Sequence, residues 1–326
     1  MNRTEIKEAR KTSPVIKPVI FAVIVLALIS MPLWGSRYSL SVAVLVLLYL
    51  SLAQMWNLLS GYTGLTSLGQ QAFIGIGGYA IAVTTQAYKM PLVAGFIVAG
   101  VVAVVFALVI SAPIFKMSGV YFTIGTWIIA EALYIFFVNW KFVNYGIGYP
   151  ITAAYRIRPE VMYWISLVVG LGSIVIVVLV LRSRLGLGLM AIRDNAASAE
   201  VRGVRLYRSK LIIFLIAAIW VAITGCLLFM NQAYIIPSSA FSIDWTIAMV
   251  FMVIIGGSGT IEGPVIGAIV YIILRQYLYN FPGISNIILG VIAIIIILIA
   301  PKGIMGFINK RFNLDIFSIR RKPKRK

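Results

Sequence analysis

Residues 91–115 read PLVAGFIVAGVVAVVFALVISAPIF, 25 residues without a formal charge. A helix of that length and composition crosses a hydrocarbon layer about 30 Å thick. It also satisfies its own backbone amides, which lipid cannot do. Further apolar stretches lie on both sides of it. Upstream are 18–34, 39–60 and 72–88. Downstream are 119–138, 161–181, 211–231, 245–256, 264–280 and 285–300. The expectation is an all-α integral membrane protein of about ten transmembrane helices, with Gly-rich broken or re-entrant segments.

Composition points the same way. The chain has 326 residues, 61% hydrophobic and 11% charged. Soluble domains run at about 45–50% apolar and about 25% charged, so a soluble enzyme is excluded. Disorder is excluded by the high hydrophobicity. No His is present, which removes His-based acid–base chemistry and most zinc and haem ligation. Cys226 stands alone in an apolar run and reads as a small core residue.

The net charge of +19 fits cytoplasmic loops facing anionic headgroups better than nucleic acid. With ten spans and an inside N-terminus, 22 of the 28 basic residues fall on one side. They lie in the N-tail, at Lys116, in 182–210 and beyond Lys302. Arg37, Lys89, Lys141, Arg156 and Arg158 face the other side, and Arg275 lies within the ninth span. That asymmetry obeys the positive-inside rule and predicts that both termini are cytoplasmic. The chain then divides into a basic cytoplasmic N-tail (1–17), a transmembrane domain (18–300) and a basic cytoplasmic C-tail (301–326). The first span is too long for a signal h-region and lacks a small-residue cleavage site.

Three features carry chemistry. Residues 61–79, GYTGLTSLGQQAFIGIGGY, are too polar and Gly-rich for an ordinary lipid-facing helix. Irregular backbone at membrane depth must be buried in protein or line water. Thr63, Thr66, Ser67, Gln70 and Gln71 are therefore candidates to line a solute pathway. The competing reading is close helix packing through small residues, and the two are compatible. A second Gly-rich interruption, 256–267, suggests an internal repeat around a pathway. It lacks the lysine of a phosphate loop.

The segment 182–210 is the second feature. Asp194 or Asn195 is placed to cap a short helix ending near Arg202, with Gly203 as its stop. The helix presents Ala197 and other small residues beside Arg193 and Glu200. Such a helix suits docking into a partner's groove, and a lipid-headgroup loop is the alternative. The third feature is Glu131, mid-span in the fifth stretch. An unpaired carboxylate there costs about 2.5–3.5 kcal/mol on insertion scales. Its expected partner is Arg275, as a static ion pair or as a counter-charge for a substrate amine.

Four segments together resemble branched-chain amino acid ABC transporter permeases of the LivM type. They are GYTGLTSLGQQAFIGIGGYA from Gly61, SGVYFTIGTWIIAEAL from Ser118, RLGLGLMAIRDNAASAEVRGV from Arg184 and GGSGTIEGPVIGAIVYIILR from Gly256. They occur in the family's order across most of 39–300. Departures are Gln70, where the family often has His, and Ala196, where an acidic residue is common.

The resemblance implies a permease subunit of an importer in the bacterial plasma (inner) membrane. It implies no enzyme activity and no cofactor in this chain, with ATP and magnesium held by two cytoplasmic ATPase subunits. A second related permease and an extracytoplasmic solute-binding protein complete the implied assembly. The coupling segment would place Arg193, Asp194, Asn195, Ala197, Glu200 and Gly203 against the ATPases. Permeases for urea, short amides or sugars share parts of these signatures. A channel or ion-coupled carrier working alone is a different class of reading. It is opposed by the absence of His and of clustered acids.

Overall fold

A computed structural model of the chain describes residues 26–278, 281–300 and 303–312. The N-tail, the start of the first span and most of the C-tail lie outside them. Helix α1 covers 26–34. It is followed by α2 (Arg37–Thr63), α3 (Gln70–Gln86), α4 (Leu92–Ile114), α5 (Val120–Asn139) and α6 (Pro159–Arg182). Two short helices follow, α7 (Arg184–Asp194) and α8 (Ala196–Val201). Then come α9 (Leu206–Gln232), α10 (Pro237–Ala240), α11 (Asp244–Gly256), α12 (Gly263–Leu278), α13 (Pro282–Ile299) and α14 (Gly303–Phe312).

Among the described residues, seven stretches are long and apolar enough to cross a membrane: Arg37–Thr63, Leu92–Ile114, Val120–Asn139, Pro159–Arg182, Leu206–Gln232, Pro237–Gly256 and Ile287–Phe307. The chain is thus an all-helical, multi-pass membrane protein. Helices α3 and α12, at 17 and 16 residues, are shorter.

Helix α2 is apolar all round and is buried continuously from Leu47 to Leu59, so it forms the axis of the bundle. Helices α6, α9, α11 and α12 surround it, and α3 packs between α9 and α4. The α3–α9 contact is backbone on backbone. A Cβ at Gly77 would lie 1.9 Å from the Ala222 carbonyl oxygen, and one at Gly225 would lie 2.4 Å from that of Ile74. Helices α11 and α12 meet likewise at Gly267, where a Cβ would lie 1.8 Å from the Met252 oxygen. Small residues permit this approach, which dispersion forces reward in lipid.

The bundle has two distinct ends. At one, α7 meets the end of α2, and the 257–262 loop joins them. Asn57 Nδ2 donates to the Thr260 carbonyl (2.7 Å), while the Gly259 amide donates to Asn57 Oδ1 (2.9 Å). At the other, a two-residue antiparallel ribbon pairs Tyr149 with Ile235 and Pro150 with Tyr234. There Gln276 also donates to the Tyr38 hydroxyl at 2.6 Å.

Three expectations change. The break expected across 61–79 is narrower. Helix α2 runs on to Thr63, Gly64 ends it at φ 76°, and α3 resumes at Gln70. The span expected at 245–256 begins earlier, at Pro237, and is interrupted between α10 and α11. The single helix expected within 182–210 is preceded by α7, itself capped by Ser183, whose Oγ accepts from the Gly186 amide.

Candidate translocation site and coupling segment

One face of α3 presents Gln71, Gly75 and Tyr79 at successive turns. All three are buried, and they face α10, α11 and α5. Gln71 Oε1 accepts a hydrogen bond from the Thr246 hydroxyl of α11. Both side chains are buried, so this pair is a polar island in an apolar bundle. One turn further on, Gly75 leaves a notch that the ring of Phe241 fills. Beyond it Tyr79 stacks on Phe137 of α5 with centroids 4.3 Å apart. Phe137 and Phe241 are 5.0 Å apart.

Gln70, adjacent in sequence, points elsewhere because consecutive residues diverge by about 100° on a helix. Its amide is fully buried, and among the described residues neither its oxygen nor its nitrogen has a hydrogen-bond partner. The Tyr79 hydroxyl and Gln54 Oε1 are likewise buried and without a partner among the described residues. Such groups cost about 1–3 kcal/mol each, so each calls for a reason.

The other candidates serve the break itself. Thr63 donates to the Leu58 carbonyl at 3.1 Å and closes the last turn of α2. Ser67 accepts from the Gly69 amide (3.2 Å), and its carbonyl accepts from Trp56 Nε1 (2.9 Å). Thr66 is exposed and shares a hydrogen bond with the Thr123 hydroxyl at 3.0 Å. Glu131 is exposed on α5, and the expected ion pair with Arg275 is not formed. Arg275 instead donates to the Tyr49 hydroxyl and lies over the Tyr49 ring, 5.3 Å from its centroid. Helix α5 packs on α3, α4 and α10, whereas α12 packs on α2, α11, α13 and α14, so Glu131 faces outward on a different side of the bundle from Arg275.

The candidate coupling segment ends in a capped helix. Asn195 Oδ1 accepts from the Ser198 amide at 3.0 Å, so Asn195 rather than Asp194 is the cap of α8. Ala199 is buried, whereas Ala197, Glu200 and Val201 are exposed, Val201 by 90%. Gly203 turns the chain at φ 85° with nothing near the position of a side chain. A left-handed residue ends the helix there, and only glycine adopts it without strain.

Arg193 is no free docking charge. Its Nη1 donates to the Gly61 carbonyl of α2 at 2.9 Å, and Nη2 lies 3.3 Å from Asp194. Its aliphatic stem lies close to Gly64, and its guanidinium lies close to Gly259. One side chain therefore joins α7 to both Gly-rich breaks.

Residues 38–300 match the family model described as branched-chain amino acid transport system / permease component. The chain belongs to this family. It is 23% identical to the high-affinity branched-chain amino acid transport system permease protein LivM of Escherichia coli (strain K12), over 92% of this chain and 77% of that protein. It is 25% identical to a probable branched-chain amino acid transport permease protein LivM of Methanocaldococcus jannaschii, over 72% of this chain and 77% of that protein. No solved structure matches it.

In this permease component the residues that sequence reasoning missed are Thr246, Phe241, Tyr79 and Phe137. Each acts through a partner distant in sequence. The outward setting of Glu131 has a measurable consequence. Glu131→Leu removes a lipid-facing carboxylate, so the isolated chain in lipid nanodiscs should gain thermal stability. A clear fall in its unfolding midpoint would mean that Glu131 has a partner inside the bundle.

Proposed function

We propose that the chain is the membrane-spanning subunit of an ATP-driven importer for branched-chain or similar hydrophobic amino acids. It crosses the bacterial plasma (inner) membrane ten times, with both termini and the α7–α8 segment in the cytoplasm. Two cytoplasmic ATPase subunits bind ATP and magnesium and engage α8. A second related permease completes the membrane core, and a soluble binding protein delivers the amino acid from outside.

One observation carries this reading. An exposed, capped helix follows directly on α7, whose Arg193 reaches the breaks after α2 and α11. Movement of α8 would thus reach the ends of α2 and α11, and through the 64–69 break and along α11 the polar seam at Gln71 and Thr246. The alternating directions of nine helices, with the first span before them, support ten crossings. Helices α2, α4, α6, α11 and α13 run toward the α7 end, and α3, α5, α9 and α12 run away from it. The pathway residues are neutral, which suits a zwitterionic solute moved by an external engine. Ion coupling would call for titratable groups at that depth. Rocking of helix bundles around a fixed site would then alternate access.

The test is uptake of labelled leucine by proteoliposomes holding the complex purified from its native locus with binding protein. Uptake should require ATP on the α8 side and should be competed by isoleucine and valine, but not by urea. ATP-independent uptake by this chain alone, or competition by urea and not by valine, would overturn the reading.

A further inference from the structure

Helix α10 is a single turn, and α11 begins only at Asp244, so residues 241–243 interrupt that stretch, toward the ribbon end of the bundle. Phe241 sits in that interruption. Its ring occupies the space that a side chain at position 75 would take. A Cβ built at Gly75 would lie 2.2 Å from Cε1 and 2.5 Å from Cζ of Phe241. The ring is almost wholly buried. It lies nearly parallel to the Tyr79 ring, at an interplanar angle of 11° and 6.0 Å between centroids. Phe137 closes the third side, 5.0 Å from Phe241.

This slot is bounded by polar groups on both sides along α3. On one side stands the Gln71–Thr246 pair. On the other stands the Tyr79 hydroxyl, buried and without a partner. An apolar slot flanked by neutral hydrogen-bonding groups matches an amino acid with a hydrophobic side chain. In the present state the occupant of the slot is protein. Phe241 comes from a segment with little helical structure to hold it: a one-turn helix, an interruption, and Ala233 at φ 58° just before. Interrupted helices at membrane depth are tolerated where they line a cavity, and they supply the hinge that a rigid helix lacks.

We propose that the slot over Gly75 is the side-chain subsite for the transported amino acid, and that Phe241 is its plug. The ring holds the subsite shut in the empty state and withdraws on the 241–243 interruption when substrate enters. Gln71 and Thr246 then receive the polar end of the solute, while Phe137 and the Tyr79 ring wall the apolar end. The Tyr79 hydroxyl, idle in the closed state, gains a partner in the loaded one. This inference rests on the amino-acid transport reading above.

The experiment uses the whole complex in proteoliposomes and compares phenylalanine with leucine as substrates. Phe241→Ala removes the plug and leaves the walls in place, so KM should fall about tenfold for leucine and phenylalanine alike. Phe241→Leu plugs the slot less completely and should lower KM by less. If Phe241→Ala does not assemble, Phe241→Leu against Phe241→Trp decides. The smaller residue should lower KM for both substrates, and the larger should raise it. Tyr79→Phe removes a buried hydroxyl without a partner, so the thermal midpoint should not fall, while KM for leucine should rise several-fold with kcat preserved. An unchanged KM across the Phe241 series, in a complex whose unaltered form imports leucine, overturns the plug alone. Failure of the unaltered complex to import any branched-chain amino acid defeats the transport reading, and the subsite falls with it.

Discussion

Arg193→Ala should leave the assembled complex hydrolysing ATP while ATP-driven uptake falls about ten- to a hundredfold. The guanidinium holds the Gly61 carbonyl at 2.9 Å and lies close to Gly259, so one group joins α7 to both glycine breaks. A hydrogen bond from a charged donor contributes about 1.5–3 kcal/mol, and 1.4 kcal/mol is a factor of ten in an equilibrium. The partly exposed position of Arg193 pulls the expectation toward the lower end of that range. Without the bond, α8 can still be moved by a partner, but the end of α2 need not follow. Arg193→Lys keeps the charge and loses the planar reach, so it should restore uptake only in part. The measurement is the ratio of amino acid imported to ATP hydrolysed. A fall in hydrolysis and uptake together, at constant ratio, would place Arg193 in docking rather than in transmission.

Gly77→Ala should cost more folded protein than any surface change. The added Cβ would lie 1.9 Å from the Ala222 carbonyl oxygen, and that atom belongs to the backbone of a 27-residue helix. No rotamer relieves the clash, so α3 and α9 must separate along their whole contact. Overpacking costs about 1–3 kcal/mol where side chains can yield, and a backbone-on-backbone contact lies at or beyond the upper end. Gly100→Ala on α4 is the control. Its nearest neighbour would be an Ile219 methyl at 3.8 Å, and alanine favours a helix over glycine by about 1 kcal/mol. Thermal unfolding in detergent, with the monodisperse fraction after solubilisation, should show a large loss for the first and none for the second. Equal behaviour of the two variants would remove close backbone packing as the reason for glycine in α3.

Much of this architecture was legible in the sequence because lipid imposes a simple grammar. Apolar length marked the seven long spans, and the choice of Asp194 or Asn195 with Gly203 marked the start and stop of α8, since caps and left-handed turns are local chemistry. What was not legible depends on how helices are rotated against one another. Glu131 and Arg275 are opposite charges within apolar spans, yet α5 and α12 pack on different neighbours, so Glu131 faces outward and Arg275 finds Tyr49. Gln70 and Gln71 are equivalent as letters, but their different directions give one a partner in Thr246 and leave the other without one. The slot over Gly75 requires Phe241, a contact across 166 positions that no local pattern encodes. The interruption that carries Phe241 did leave a trace. Pro237 and the polar run around it precede the apolar stretch and mark a helix that starts, stops and starts again.

The most direct test of a permease driven from outside itself is a photocrosslinking residue placed at Ala197, on the exposed side of α8. In intact cells expressing the whole system, the crosslinked product should contain an ATPase subunit, and impermeant thiol reagents added outside should not label Ala197→Cys. A product containing no ATPase subunit, or labelling of that cysteine from the exterior, would contradict the assignment of α8 as the lever.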